Sequence, residues 1–296
     1  MYSLTNNRNT IFTTGQKIHY TLRVASAMCF IGHGIFGIIT KPVWSNYFGV
    51  FGIDKATSVQ LMPIVGCIDI FMGIIILMYP LRSVVGWLVL WGTMTALLRP
   101  LSGEPFAEFI ERAGNFGAPL ALLIVSGGFA GNAKKLFTPL RYNSHLDERT
   151  LRNVTRCLRI VVFLLFAGHG WLNVIEKKSL INQYTMLGFA NPGKTAQAIG
   201  IGEIAAGLMV LIRPLGSVVL ALFIWKITSE LFYPHYELFE WVERGGSYGA
   251  ILALWFAIGV RTNIQKVNEP GSPGFLSRRR QRGVHDPFSN YNLNAV

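Results

Sequence analysis

Acidic side chains are scarce in this 296-residue chain: 15 Asp and Glu stand against 27 Lys and Arg, and charged residues together make up 14%. A soluble domain usually carries about a quarter of charged residues, so this composition argues against a water-soluble enzyme. Cysteine is almost absent too. Cys29, Cys67 and Cys157 form no Cys-x-x-Cys, which excludes a disulfide framework and a dithiol relay and leaves three small buried hydrophobes. The first twenty residues hold no apolar leader segment and no small-residue cleavage site before the first long apolar run. That run is therefore expected to be an uncleaved signal anchor.

Hydrophobic residues are abundant, at 51%, with a mean hydropathy of +0.39. Eight apolar runs stand at about residues 21–40, 59–79, 82–98, 114–130, 157–175, 195–212, 214–232 and 246–260. Several fall short of the ~20 residues that a perpendicular span prefers. The expectation is an all-α, polytopic membrane protein with eight transmembrane helices. The net charge of +12 does not point to nucleic acid. With the N-terminus inside, eighteen Lys and Arg lie in cytoplasmic segments, eight outside and Lys226 within a span. Both termini are then cytoplasmic by the positive-inside rule, with anionic headgroups of the lipid bilayer as the natural partner of the basic excess. The expected location is the inner (cytoplasmic) membrane of a bacterium.

GHGIFG, residues 32–37, spells the G-x-G-x-x-G of a dinucleotide site. That fingerprint works only where a strand gives way to a helix N-terminus with free N–H groups. Here it lies inside TLRVASAMCFIGHGIFGIIT, a candidate membrane helix whose N–H groups are already used. FAGHGWLN, residues 166–173, repeats the Gly-His-Gly without the third glycine. The recurring feature is a histidine in a span.

The duplication extends further. At an offset of 136, Arg23, His33, Asn46 and Gly52 match Arg159, His169, Asn182 and Gly188; at 134, Asp69, Gly73, Pro80, Trp91 and Thr95 match Glu203, Gly207, Pro214, Trp225 and Ser229; at 132, Glu111-Arg112 matches Glu243-Arg244. Each copy has four spans, an even number, so the two should be parallel repeats related by a pseudo-twofold along the membrane normal. The expected organisation is a polar segment 1–20, a four-helix repeat 21–130, a basic cytoplasmic linker 131–156, a second four-helix repeat 157–260 and a basic disordered tail 261–296.

RIVVFLLFAGHGWLN, the outer loop ending LGFANPG, and IGEIAAGLMVLIRPLG carry a Gly near the outer end of the first helix and a Gly-Glu-x-x-x-Gly in the second. On these motifs the second half resembles the DoxX-like family of four-span membrane proteins. The first half follows with GCIDIFMG at 66–73, Asp69 replacing the Glu. The chain thus resembles a tandem fusion of two DoxX-like units. The resemblance implies a role among quinone- or redox-associated membrane proteins, which include the membrane subunit of a thiosulfate:quinone oxidoreductase.

An ionisable group at bilayer depth costs about 2.5–3.5 kcal/mol on insertion scales, so it should face protein, water or a ligand. The first copy offers His33, Asp69, Thr95, Arg99, Glu111, Arg112 and Asn115; the second offers His169, Asn173, Glu203, Lys226, Ser229, Glu230, Glu243, Arg244 and Ser247. Helix rise places His33, Thr95 and Ser229 in the outer half and Asp69 and Glu203 near the middle of their helices, so that the polar groups converge towards the outer side. His169, Asn173 and Glu176 should share one helix face, and Lys226 and Glu230, at i and i+4, should pair. The Glu-Arg pairs are expected to close each four-helix unit where its outer loop re-enters. Trp91, Trp225, Trp171, Phe36 and Tyr248 are available to line an apolar slot. Because Asn173, Lys226 and Glu230 surround only His169, the second copy is expected to be the more active.

These residues suit a quinone-linked redox subunit, since a quinone head needs a flat apolar slot, donors at its carbonyls and groups that carry protons. Two alternatives fit the same residues: a non-catalytic accessory or assembly subunit bound to a protein partner of a membrane complex, and a proton-coupled small-molecule transporter. The latter has parallel repeats in its favour and, against it, no obvious paired break in its spans. Quinone is the cofactor implied; haem would have only the two histidines to hold it, and no metal site is expected.

Overall fold

The computed structural model describes residues 13–129, 133–142, 146–231 and 238–268. In the first half, α1 (Thr14–Ile38) is followed by a short helix α2 (Trp44–Gly49), then α3 (Lys55–Met78) and α4 (Arg82–Leu101), and finally by the broken pair α5 (Ala107–Glu111) and α6 (Ala113–Val125). A single 3-10 turn, Ala133–Phe137, lies in the linker. The second half runs α7 (Glu148–Val174), a short α8 (Lys178–Met186), α9 (Pro192–Ile212), α10 (Gly216–Leu231), and the broken pair α11 (Leu238–Glu243) and α12 (Gly245–Asn268).

Local chemistry sets the ends. Thr13 and Gln16 form a capping box at α1. The Asp54 carboxylate accepts from the Ala56 and Thr57 N–H groups at α3, Asp147 from Thr150 N–H at α7, and Asn191 from Lys194 N–H at α9. Just beyond α1 and α7, Thr40 and Glu176 both take left-handed backbone, at φ 53° and 55°. Gly52 and Gly188, at φ 73° and 80°, turn the chain back towards α3 and α9. Arg23 closes α3 by donating from Nε to Ile76 O (2.9 Å) and from Nη2 to Leu77 O (2.7 Å) and Met78 O (3.1 Å). Arg159 does the same for α9 at Val210, Leu211 and Ile212. The matched arginines thus satisfy the carbonyls left over at helix C-termini.

Five helices, α1, α3, α4, α7 and α9, are long and apolar enough to cross a membrane. The 13 residues of α6 rise only ~20 Å at 1.5 Å each, and α10 has 16 residues. Ile64, Ile68 and Phe71 of α3 and Ile201 and Ile212 of α9 are at least half exposed, as helices facing lipid require. All described secondary structure is helical apart from one isolated bridge, Leu81 to Pro139. The helix α12 continues to Asn268, eight residues into the segment expected to be a disordered tail; the SRRRQR stretch lies outside the described residues.

The packing departs from two separate four-helix units. Helices α6 and α12 touch each other, and both touch α1 and α7, while α3 and α4 flank one side and α9 and α10 the other. Gly32 of α1 meets the backbone of Glu243: a Cβ there would lie 2.6 Å from Glu243 Cα. Gly168 of α7 meets Glu111 in the same way, again at 2.6 Å. Each Glu-Arg segment therefore seats on the histidine helix of the opposite half. The expectation that it closes its own unit is corrected by these contacts, whose cause is the missing side chain at Gly32 and Gly168. The fourth helices meet at Gly114 and Gly246, where a Cβ would lie 2.6 Å from the facing Ser247 N or Gly114 O. The second glycine of each Gly-His-Gly serves the neighbouring helix: a Cβ at Gly34 or Gly170 would lie 2.5 Å from Gly66 O or Gly200 O.

Candidate functional site

Each histidine is fixed by one ring nitrogen. His33 Nδ1 lies 2.7 Å from Asp69 Oδ2, and Trp91 Nε1 donates to Asp69 Oδ1 at 2.8 Å. In the second half His169 Nδ1 lies 2.7 Å from Glu203 Oε2, and Trp225 Nε1 donates to Glu203 Oε1 at 2.8 Å. Asp69 and Glu203 are buried and sit behind the imidazoles. A buried carboxylate without such partners would carry a large desolvation cost. Nδ1 is thereby committed, and Nε2 makes no hydrogen bond to a described residue. An imidazole held in this way presents one nitrogen for exchange with a ligand.

His33 lines a cavity of about 130 Å³ with Trp44, Phe48, Phe51, Trp91 and Arg99 among its walls. The Trp44 ring lies 4.5 Å from the imidazole, tilted by 36°. Tyr47, also in this wall, donates to Glu104 Oε1 at 2.6 Å. Burial, with Glu104 beside it, holds the Tyr47 hydroxyl well above its ordinary pKa against the pull of Arg99. His169 lines a cavity of about 230 Å³ whose walls include Lys177, Gln183, Tyr184, Trp225 and Arg244. There Asn173 Nδ2 donates to Glu203 Oε2 (3.2 Å), and Tyr184 OH donates to Asn173 Oδ1 (2.8 Å).

A chain of ion pairs runs between the cavities. Arg99 pairs with Glu104 (3.1 Å) and Glu108 (3.5 Å); Arg112 with Glu108 (2.6 Å) and Glu111 (2.7 Å); Arg244 with Glu111 (3.0 Å) and Glu230 (2.8 Å); Lys226 with Glu230 (2.6 Å). Lys226 Nζ and Arg244 Nε approach Glu230 at ion-pair distance but outside hydrogen-bond angles. Arg112 lines both cavities. Two further ion pairs cross between the halves: Lys41 with Glu240 at 2.9 Å, and Lys177 with Glu108.

The residues singled out in sequence fall into place unevenly. Thr95, Asn115 and Glu243 line the first cavity; Glu111, Ser229, Glu230 and Arg244 line the second. The hydroxyls of Thr95 and Ser229 bond back to carbonyls of their own helices, at Trp91 and Lys226. Glu176 does not join His169 and Asn173, because α7 ends at Val174 and Glu176 instead accepts from Gln197 Nε2 at 2.8 Å. Trp171 is 42% exposed and Phe36 is buried under Lys41 Nζ, 3.9 Å from its ring, so neither lines a slot. Sequence reasoning missed Trp44, Tyr47 and Tyr184 on the short helices α2 and α8, and the Lys41 and Lys177 pairs. The offset of 136 that matches Asn46 to Asn182 also matches Lys41 to Lys177, and the offset of 132 matches Glu108 to Glu240.

Among the described residues no group of three or more His, Cys, Asp or Glu is placed to hold a metal ion. The chain matches no family model, no curated protein and no solved structure, so its function is read from the site itself.

Proposed function

We propose that this is a DoxX-like membrane protein whose first cavity receives a quinone headgroup. The observation that carries this reading is His33, held by Asp69 through Nδ1 with the tilted Trp44 ring beside it at the wall of an aromatic cavity. A volume of about 130 Å³ suits one ring rather than a whole drug-sized ligand, whose pockets run ~300–1,000 Å³. The quinone's isoprenoid tail would stay in lipid. As an imidazolium, His33 donates from Nε2 to one carbonyl while Nδ1–H stays on Asp69, and Arg99 supplies positive charge as electron density builds on the ring oxygens. Reduction to the quinol takes two electrons and two protons; the electrons come from a redox partner in a membrane complex, and the imidazole passes protons. The first half, rather than the second, is favoured because Trp44, Tyr47, Phe48 and Phe51 wall its cavity, where the second has Lys177, Gln183 and Glu230.

In this proposal the chain spans the inner membrane of a bacterium eight times as two parallel repeats, with both termini in the cytoplasm. The short α6 fits because α5 and α6 together replace one perpendicular span. Organic extraction of the purified protein is the test: near-stoichiometric quinone in the wild type, lost in His33→Gln with folding intact, is expected. Quinone-free wild-type protein from a quinone-replete membrane would refute it.

A second reading, a proton-coupled transporter, draws on one observation. The fourth helices are both interrupted, at Arg112 and Arg244, beside the cavities, and paired interruptions of this kind form transporter sites. Uptake into vesicles driven by a pH gradient would favour it over the quinone site.

A further inference from the structure

At the end of the bundle away from the two histidine cavities, a third, wide cavity of about 510 Å³ opens between α1, the end of α3 and the linker. Its walls include His19, Arg23, Tyr79, Arg141 and Tyr142. The linker wall is anchored: Leu140 N–H donates to Pro80 O at 2.8 Å, Arg82 N–H to Thr138 O at 3.3 Å, and the Arg82 guanidinium to Ser126 O at 3.1 Å. His19 is steadied through Nδ1 by Ser126 Oγ at 3.1 Å.

The charge balance here differs from the rest of the protein. In both histidine cavities the cations meet carboxylates, whereas among the described residues no Asp or Glu lines this one. Arg141 makes no hydrogen bond or ion pair with a described residue. Arg23 spends Nε and Nη2 on the α3 carbonyls and its Nη1 on no described residue. Lys134 and Lys135 stand exposed on the adjoining 3-10 turn. Guanidinium N–H groups with no acceptor among the described residues are available to one from outside, and a phosphodiester offers the matching geometry. The rim is apolar: Met78 is 72% exposed and Tyr79 56%. Tyrosines at a polar and apolar boundary are what the edge of a bilayer selects.

We infer that this cavity is a binding site for the phosphate of an anionic phospholipid, with Arg141 and Arg23 holding the phosphate and Met78 and Tyr79 against the acyl chains. The site is independent of the quinone reading. It specifies one pocket, whereas the basic excess of the sequence implies only a diffuse attraction to the surface.

The test uses the full chain in detergent with added phosphatidylglycerol or phosphatidylcholine, bound lipid being counted by native mass spectrometry. Wild type is expected to retain phosphatidylglycerol in preference. Arg141→Gln should retain about fivefold less, the scale of one basic residue at an anionic surface, while Arg141→Lys keeps most of it and both variants keep the wild-type unfolding midpoint. The double variant Lys134→Gln/Lys135→Gln should lose less than Arg141→Gln. Equal retention of the two lipids, unchanged retention in Arg141→Gln, or an equal loss in the double lysine variant would each overturn the pocket. Displacement of the lipid by an equal concentration of inorganic phosphate would overturn the lipid as its occupant.

Discussion

The two histidine sites share a frame and differ in their filling. In both, a tryptophan and an imidazole hold one buried carboxylate with the same distances. Around that frame, positions matched by the sequence offsets diverge: Trp44 against Leu180, Tyr47 against Gln183, Gly37 against Asn173, Gly92 against Lys226 and Ala96 against Glu230. The first cavity is walled by aromatic rings. The second is larger and tied into charge. The frame is thus common to both halves, and the walls are where they differ. The difference also assigns work to the crossed fourth helices, because the two sites share Arg112 and one chain of ion pairs.

The largest expected effect comes from the node of that chain. Glu111 accepts from Arg112 (2.7 Å) and Arg244 (3.0 Å) and stands 3.7 Å from Lys226. Glu111→Ala strands buried cations, and removing one partner of a buried ion pair costs about 3–5 kcal/mol. Thermal unfolding in detergent should show a severe loss for Glu111→Ala and a milder one for its counterpart Glu243→Ala. Equal losses would erase the asymmetry between the halves.

Next in size are the carboxylates behind the imidazoles. Glu203 accepts from His169, Trp225 and Asn173, whereas among the described residues Asp69 serves only His33 and Trp91. Each partner left unsatisfied in a buried site costs about 1–3 kcal/mol, so Glu203→Leu should destabilise more than Asp69→Leu. Glu203→Gln should be milder than either, because an amide still accepts and donates. A Glu203→Leu protein with an unchanged unfolding midpoint would show that the carboxylate is dispensable.

The smallest effect separates the caps of α3 and α9. Asp54 is held below the ordinary aspartate pKa, first by the Thr57 hydroxyl and then by the Thr57 N–H, while α9 has the neutral Asn191 in that place. A carboxylate whose pKa is lowered on folding stabilises fully above the unfolded value of about 3.9 and loses that contribution as pH falls through the folded value. Hydrogen exchange at the start of α3 should therefore quicken in acid relative to α9. Asp54→Asn should abolish the difference.

The frame was legible in the chain because matched offsets mark its residues twice: they pick out His33 with His169 and Asp69 with Glu203, and all four enter the sites. Crossing of the fourth helices was not legible. An internal match tells which residues correspond, but either copy of Glu-Arg fits the same glycine notch, and only packing decides which histidine helix it meets. Trp44 and Tyr47 escaped notice for a different reason. They lie on α2, six residues long, too short to give a periodic signal, in a loop where the second half has Leu180 and Gln183. Trp91 lines the first cavity as its sequence suggests, but its Nε1 bond to Asp69 follows only from α3 and α4 lying side by side.

The central claim is that the aromatic first site, and not the charged second one, takes a ring ligand through His33. Trp44 and Trp91 line that cavity, so quenching of their fluorescence by a short-chain quinone, titrated into wild type, His33→Gln and His169→Gln, reads it directly. Saturable quenching that weakens about tenfold in His33→Gln, equivalent to ~1.4 kcal/mol, and barely changes in His169→Gln is the expected result. Quenching that stays unsaturated in wild type, or that both variants share unchanged, would contradict it.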